Sequence, residues 1–576
     1  PRFNTTLMEY NDPLNPRLLT KQIAPNGFTL TMTYNAQGDL ASVNESFSDT
    51  TIEYKYTEDL DTPPVNPKWR HLLREIRRPT VTVNGTPVTY EPTIFKYDPT
   101  YGNLVEVKDA ALNSIFMQVS GDGLVEEITD RRGNTTIFHY NNTTRRLESI
   151  ETPGGPSPAT SRTTEFTYDD YLNLETVTAP TLPAAGFTYD GQNRPKRSTS
   201  PLGFYSESTY VDGLLTSMTM PSNEGSSSSR RETQFFYDQA DRLEQVRAQW
   251  SSTPDFELRV GYIYDGLSQL KNLVRLKDAT LKATVYDYDF LGRMVRSKDF
   301  LVPGRETFIA YADYCTGNLT TTPRGVQREA TYDERCRLRQ LQTQDETHEF
   351  EYDELNRLVS VRMGSRYAHG SPTEGGEYST GFYTHETRYT FDELDRVVEI
   401  LHPNGETVSY QYNENGDVTR MVDVHNKETL YEYYNDGRLL SVTYEGQLFS
   451  YTYDAVGRLE SLTYPTTPDD LVLNFSWDAD GRLLSMEYLK NSLPFQSFTY
   501  GYDDSGNRVT MDEVDPSSVT TNWEYGYDWF NRLTSVTKNT VLQESYTYDE
   551  SDNRYTVTRG NQVWRYSCDL ADQINS

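Results

Sequence analysis

Residues 451–463 read YTYDAVGRLESLT, and the reading of this stretch decides the fold. Tyr451 and Tyr453 are two apart, so in an extended chain both rings lie on one face with Thr452 opposite. Aromatic and β-branched residues favour such a pleated surface. The Asp454 carboxylate is placed to accept N–H groups of a following turn, and Gly457 tolerates the positive φ that a tight turn requires. Arg458 offers its donors to an aspartate on the same rung or the next. Leu459 and Leu462 return the chain to the apolar side. Their i, i+3 spacing breaks strict alternation, which predicts that Leu459 sits at the turn exit or at a bulge.

The same phrase recurs along the chain. From Thr331 onward it is rewritten as TYDERCRLRQL, EYDELNRLVSV, TFDELDRVVEI, QYNENGDVTRM, SWDADGRLLSM, GYDDSGNRVTM, GYDWFNRLTSV and YTYDESDNRYTV. The turn aspartates are Asp333, Asp353, Asp392, Asp454, Asp478, Asp503, Asp528, Asp549 and Asp569, with Asn413 substituting once. Most steps between neighbours are 20 to 25 residues, and the 39-residue gap from Asp353 to Asp392 is read as hiding a looped insertion. Looser copies surround Asp98, Asp169, Asp190, Asp238, Asp265 and Asp289. The aromatics Tyr451, Tyr453, Tyr525, Tyr527, Tyr546 and Tyr548 are expected to line up as a ladder when the units stack edge to edge.

The expected architecture is therefore all-β: one array over residues 1–576, loose over 1–330 and regular over 331–576. A two-stranded unit alone is marginal, so stability must come from neighbours, and sheet twist tends to coil a long array into a spiral. Gly, Ser and Pro content places loop insertions near 151–162, 221–231 and 363–381. In PKWRHLLREIRRP, Trp69, Leu72, Leu73 and Ile76 fall at helical spacing, yet Leu73 and Ile76 also fit the repeat, and the strand reading is preferred.

Composition agrees with a thin wall. Apolar residues are 35% of the chain, below an ordinary globular share, while 44 Tyr, 23 Phe and 6 Trp supply rings that pack on one side and keep a polar handle. With 85 acidic against 54 basic residues the net charge is −31, which argues against nucleic acid and anionic membrane surfaces as partners. No stretch is long and apolar enough to span a bilayer. The N-terminal PRFNTTLMEY lacks a signal-peptide pattern, and a mature or internal fragment is compatible with it. Cys315, Cys336 and Cys568 show no metal spacing; Cys315 and Cys336, about one repeat apart, could bridge adjacent rungs or remain inert thiols.

These phrases resemble the YD-repeat family, also called Rhs repeats, over nearly the whole chain. The resemblance implies a β-strand spiral wrapped into a hollow shell, as in bacterial Rhs proteins, insecticidal toxin complexes and teneurins. In the bacterial toxins such a shell encloses a toxic polypeptide. This chain carries no DPxGxxGG-like element, so no autoprotease aspartates are carried over. Tyr566 and Asp569 read as the opening of a further repeat, so either more chain is expected beyond Ser576 or a cut there.

No catalytic site, cofactor or metal site is expected. The YD aspartates are the pattern itself, whereas a catalytic pair departs from one. The turns DADGR and DDSGN lack the remaining ligands of a calcium loop. The seven histidines show no HExxH or paired spacing. The reading is a secreted or cell-surface scaffold enclosing or presenting a polypeptide, with neighbouring subunits as further partners. A self-assembling extracellular fibre and a glycan-binding surface, with cell-surface glycans as ligands, are the alternatives.

Overall fold

A computed structural model describes residues 6–24, 27–46, 49–57, 71–83, 86–153, 161–221, 230–249, 256–277, 280–289, 292–299, 306–311, 317–321, 327–343, 346–367, 381–465, 470–528, 531–548 and 554–566. The protein is all-β. Among these residues the strands form a 47-stranded antiparallel sheet, with Val81–Val83 and Thr86–Val88 as a separate hairpin.

The chain divides into two compact units, each assembled from an early and a late segment. In the first, one ladder runs strand by strand from Leu7–Glu9 to Thr135–Tyr140. A second runs from Glu306–Tyr311 to Glu428–Tyr433. The second unit repeats the arrangement, from Leu147–Thr152 to Met294–Asp299 and from Gln447–Tyr453 to Gln562–Arg565.

Side chains join the early ladder to the late one inside each unit. In the first, Arg335 pairs with Glu45, Asn415 Nδ2 donates to Asp130 Oδ2 at 2.8 Å, and the Thr82 N–H donates to Glu354 at 3.3 Å. In the second, Ser200 Oγ and the Leu202 N–H both donate to the Asp480 carboxylate, at 2.9 and 3.0 Å.

The i, i+3 leucines have a plain geometric solution. Tyr453 pairs with Leu459 and Thr452 with Ser461, so one extra residue is inserted on the returning strand, and Tyr451 then meets Leu462. This bulge puts both leucines on the face that carries the rings. The same shift follows the first strand at Tyr352, Phe391, Trp477 and Tyr527.

Apolar burial is sparse, as the composition requires. Among the described residues, a cluster of buried side chains comprises Val81, Tyr90 and Ala110, packed by Val88, Leu355 and Leu394. Ala330, Tyr434, Leu473 and Val557 are buried outside that cluster.

The strand preferred for Leu73 and Ile76 is present, and the loop expectations change at their edges. Leu73–Arg77 is a strand, so Leu73 and Ile76 belong to the sheet, while Trp69 lies outside the described residues. The 39-residue gap is a long hairpin of Leu358–Tyr367 and Gly381–Phe391 rather than an insertion starting at 363. The loops placed at 151–162 and 221–231 likewise begin and end in strand, because Glu151, Thr152, Arg162, Pro221 and Arg230 continue the ladders. Their middles, 154–160, 222–229 and 368–380, lie outside the described residues.

Candidate functional site

The repeated turn is the chemically densest feature of the chain. At Asp454 the backbone closes twice, with the Asp454 N–H donating to the Arg458 carbonyl at 2.9 Å and the Gly457 N–H donating to the Asp454 carbonyl at 3.0 Å. The Asp454 Oδ1 accepts the N–H groups of Val456 and Arg458 at 3.1 and 2.9 Å. Its Oδ2 accepts Arg458 Nε at 2.7 Å. Arg458 therefore pairs within its own rung, and its remaining reach goes to the backbone of the next, where it donates to the Asp478 carbonyl at 2.6 Å. Gly457 has φ of +98°, and a Cβ there would sit 2.6 Å from the Arg162 guanidinium.

Asp333, Asp353, Asp392, Asp478 and Asp528 hold the same carboxylate-to-arginine bond, to Arg337, Arg357, Arg396, Arg482 and Arg532, at 2.6 to 2.7 Å. Asp503 instead accepts Asn507 Nδ2 at 2.8 Å. Asp549 lies outside the described residues. Burial works to raise the Asp454 and Asp478 carboxyls, but the bonds from Arg458 and Arg482 outweigh it and hold both below the ordinary carboxylate range. The carboxylates of all these turns are spent within their own rung.

In many phrases the second aromatic reaches backward. Tyr453 Oη donates to the Leu439 carbonyl at 3.0 Å, Tyr502 to Leu483 at 2.7 Å, Tyr527 to Arg508 at 2.9 Å and Tyr548 to Leu533 at 2.7 Å. Where tryptophan replaces tyrosine, the indole Nε1 of Trp477 makes the same bond to Leu459 at 2.7 Å. The turn arginine of the preceding rung covers the same ring: Arg337 lies 4.5 Å from the Tyr352 centroid, Arg396 4.6 Å from Tyr412 and Arg532 4.7 Å from Tyr548. The first aromatic plays a different part. Tyr500 and Tyr525 Oη approach only the sulfurs of Met486 and Met511, at 3.8 and 4.0 Å, and Tyr546 Oη donates to Glu544. Burial and then that glutamate push the Tyr546 hydroxyl up to about 12.

One turn is more than a repeat. Arg357 and Asp353 are 8% and 5% exposed, and Arg357 also donates to Asp395 Oδ1 at 2.9 Å, to the Asp392 carbonyl at 3.2 Å and to Tyr90 Oη at 3.2 Å. Arg78 binds Asp395 from the early ladder at 2.8 Å. A cavity of about 270 Å³ adjoins it, walled by Glu351, Ser360, Glu386, Arg388, Tyr389 and Phe391. Its charged walls already satisfy one another, since Glu386 accepts from Ser360, Arg362 and Arg388.

Several turns lack the aromatic signal and so escape the sequence pattern. Asp109, Asp130, Asp423 and Asp515 cap turns at the other end of their strands with the same carboxylate-to-N–H bonds. At Tyr434 the aspartate is gone, and the buried Tyr434 keeps the turn through a Gly437 N–H bond of 3.0 Å. Cys336 occupies the glycine position with φ of +64° and is disulfide-bonded; Cys315 and Cys568 lie outside the described residues. No group of His, Cys, Asp or Glu able to hold a metal ion occurs among the described residues, and no described helix is long and apolar enough to cross a membrane.

Comparison with known proteins agrees with the repeat. Residues 318–471 match the family described as teneurin YD-shell. The tRNA3(Ser)-specific nuclease WapA of Bacillus spizizenii is 24% identical over 38% of this chain, and the tRNA nuclease WapA of Bacillus subtilis 25% identical over 35%. The chain spans 9% and 8% of the length of those proteins. Among solved structures, TcdB2-TccC3-TEV is similar over 99% of this chain and 42% of its own, at 11% identity and a TM-score of 0.46. TcdB2-TccC3 is similar over 93% and 42%, at 12% identity and a TM-score of 0.42.

Proposed function

We propose that the chain is a non-catalytic scaffold, a segment of a secreted or cell-surface YD-repeat protein whose β-wall encloses or presents a polypeptide. The observation that carries this reading is where the repeat's chemistry goes. The Asp454 carboxylate is bound at both oxygens inside its own turn, and the Arg458 guanidinium is divided between that carboxylate and the next rung's backbone. Groups committed in this way stiffen a wall and leave neither base nor nucleophile poised for a substrate. The teneurin YD-shell match over residues 318–471 supports the same assignment.

Two relatives bear the name of tRNA nucleases, but that activity is not assigned to this segment. A chain of net charge −31 opposes phosphate binding, and the segment spans under a tenth of either relative. The test is to purify the protein from its full reading frame and treat it with protease. A co-purifying or covalently continuous polypeptide that survives digestion until the wall is denatured is the expected result. Regular filaments with no protected polypeptide would overturn the reading in favour of a fibre.

A further inference from the structure

The repeat phrase closes its turn on arginine and then leucine. At Asn507–Arg508 and Asn553–Arg554 the phrase is displaced by one residue, so an arginine stands where the other regular copies place an aliphatic residue. The first turn does not need that arginine. Asn507 Nδ2 takes over the bond to Asp503 at 2.8 Å and reaches Asn531 Oδ1 on the next rung at 3.0 Å.

The displaced guanidinium is moved onto the ring-bearing face. Arg508 lies 5.4 Å from the Tyr500 centroid and 4.8 Å from that of Tyr525, so it is bracketed by the first aromatics of two successive rungs. The side chain is exposed, and among the described residues no carboxylate forms an ion pair with it. By contrast, Arg337, Arg357, Arg396, Arg458, Arg482 and Arg532 are each held by an aspartate. The two flanking hydroxyls are equally uncommitted, since their contacts are thioether sulfurs at 3.8 and 4.0 Å, which are weak acceptors. Arg554 repeats the theme between Tyr546 and Tyr566, at 6.0 and 5.1 Å, although there the nearby Glu544 already takes the Tyr546 hydroxyl.

We propose that Arg508 with the Tyr500 and Tyr525 hydroxyls forms a carboxylate socket, and that Arg554 forms a second, weaker one, together holding an extended acidic segment of polypeptide against the ring face of the second unit. A guanidinium fork and two phenol donors match a carboxylate, the group that Arg337, Arg357, Arg396, Arg458, Arg482 and Arg532 each meet in their own turns. Arg508 and Arg554 begin strands four apart in the ladder, about 19 Å at the usual strand spacing, which an extended segment covers in about six residues. At physiological ionic strength charges beyond roughly 8 Å are screened, so the chain's distant acidic residues do not decide the local contact. The proposal rests on the reading of the wall as a holder of polypeptide and names the chemistry it would hold.

The test uses the full chain and a fluorescein-labelled Ser/Thr-rich peptide carrying two glutamates about six residues apart, with anisotropy as readout. Arg508→Leu restores the residue that other copies carry, so it is expected to fold, and circular dichroism verifies this. The expected result is about tenfold weaker binding in Arg508→Leu, a smaller loss in Arg554→Leu, and an equally weak interaction of wild type with the glutamine version of the peptide. Equal affinity for glutamate and glutamine peptides, or an unchanged Arg508→Leu, would overturn the sockets. Displacement of the peptide by equimolar inorganic phosphate would overturn the polypeptide assignment in favour of a small-anion site. Retention of a protected polypeptide by Arg508→Leu together with unaltered peptide binding sinks the sockets and leaves the scaffold reading standing. Loss of the protected polypeptide from wild type itself sinks the scaffold reading.

Discussion

Replacing Asp353 by alanine separates a buried turn from an ordinary one. In the ordinary turn at Asp454, the pair with Arg458 is 22% and 24% exposed, and water can take over much of what the carboxylate leaves behind. Leaving the Val456 and Arg458 N–H donors without their shared acceptor there costs about 1–2 kcal/mol at about 1 kcal/mol or less per bond. At Asp353 the carboxylate is 5% exposed and Arg357 8%, so the deletion strands a guanidinium in a dry site. Removing one partner of a buried pair costs about 3–5 kcal/mol, and the retained bonds from Arg357 to Asp395 and Tyr90 place the expectation at the lower end. Asp353→Asn keeps an oxygen for the turn N–H groups at Leu355 and Arg357 and loses the charge, so it falls between wild type and Asp353→Ala. Repeat arrays need not unfold in one step, so the assay is hydrogen exchange followed on peptides covering 346–360 and 447–463. If Asp353→Ala loosens its own hairpin no more than Asp454→Ala loosens its own, the argument from burial is wrong.

Other consequences are as definite. Tyr453→Phe removes the bond to the Leu439 carbonyl and is expected to cost about 1 kcal/mol, and Trp477→Tyr, which restores a hydroxyl donor at that position, less than Trp477→Phe; urea midpoints order the three. Gly457→Ala forces a side chain into φ of +98° against Arg162, and a loss of about 1–2 kcal/mol is expected, readable as a shift in the thermal midpoint. Asp190, Asp238, Asp454 and Asp478 have carboxyls held low in the fold, so their contribution is fully present above about pH 4 and is lost as pH falls through their lower folded values; acid titration followed by circular dichroism checks this. Burial raises Tyr502, Tyr527 and Tyr548, and Tyr546 reaches about 12, so that stabilisation is complete below about pH 10 and lost as pH rises through the folded values, visible as delayed tyrosinate absorbance.

The parts legible in the sequence are those whose physics is local. Tyr453, Asp454, Gly457 and Leu459 lie within seven residues, and their roles follow from strand alternation, turn chemistry and a bulge. What the Tyr453 hydroxyl binds was not legible, because the Leu439 carbonyl lies 14 residues back and only the strand register brings it into reach. The burial of Arg357 depends on Tyr90, 267 residues away, and nothing in the phrase DELNRL distinguishes it from its copies. Tyr434 and Asp515 were missed for opposite reasons, the one lacking the aspartate and the other the paired rings. Arg508 could have been found, since a leucine position filled by arginine is visible in the phrase, but its meaning needed the rings on either side.

The tyrosine hooks give the wall a direction. Many rungs supply a donor that closes on a carbonyl 14 to 24 residues earlier, as in Tyr453 and Tyr97. A rung emerging from the ribosome thus finds its latch already built, while the rung before it waits for nothing downstream to complete its own hook. Short sequence separations of this kind favour fast, local assembly. Within one ladder the hooks thus favour fastening in chain order, like a zip drawn from its amino end, whereas the joining of early to late ladder, as at Tyr90 and Arg357, waits for residues 267 positions on.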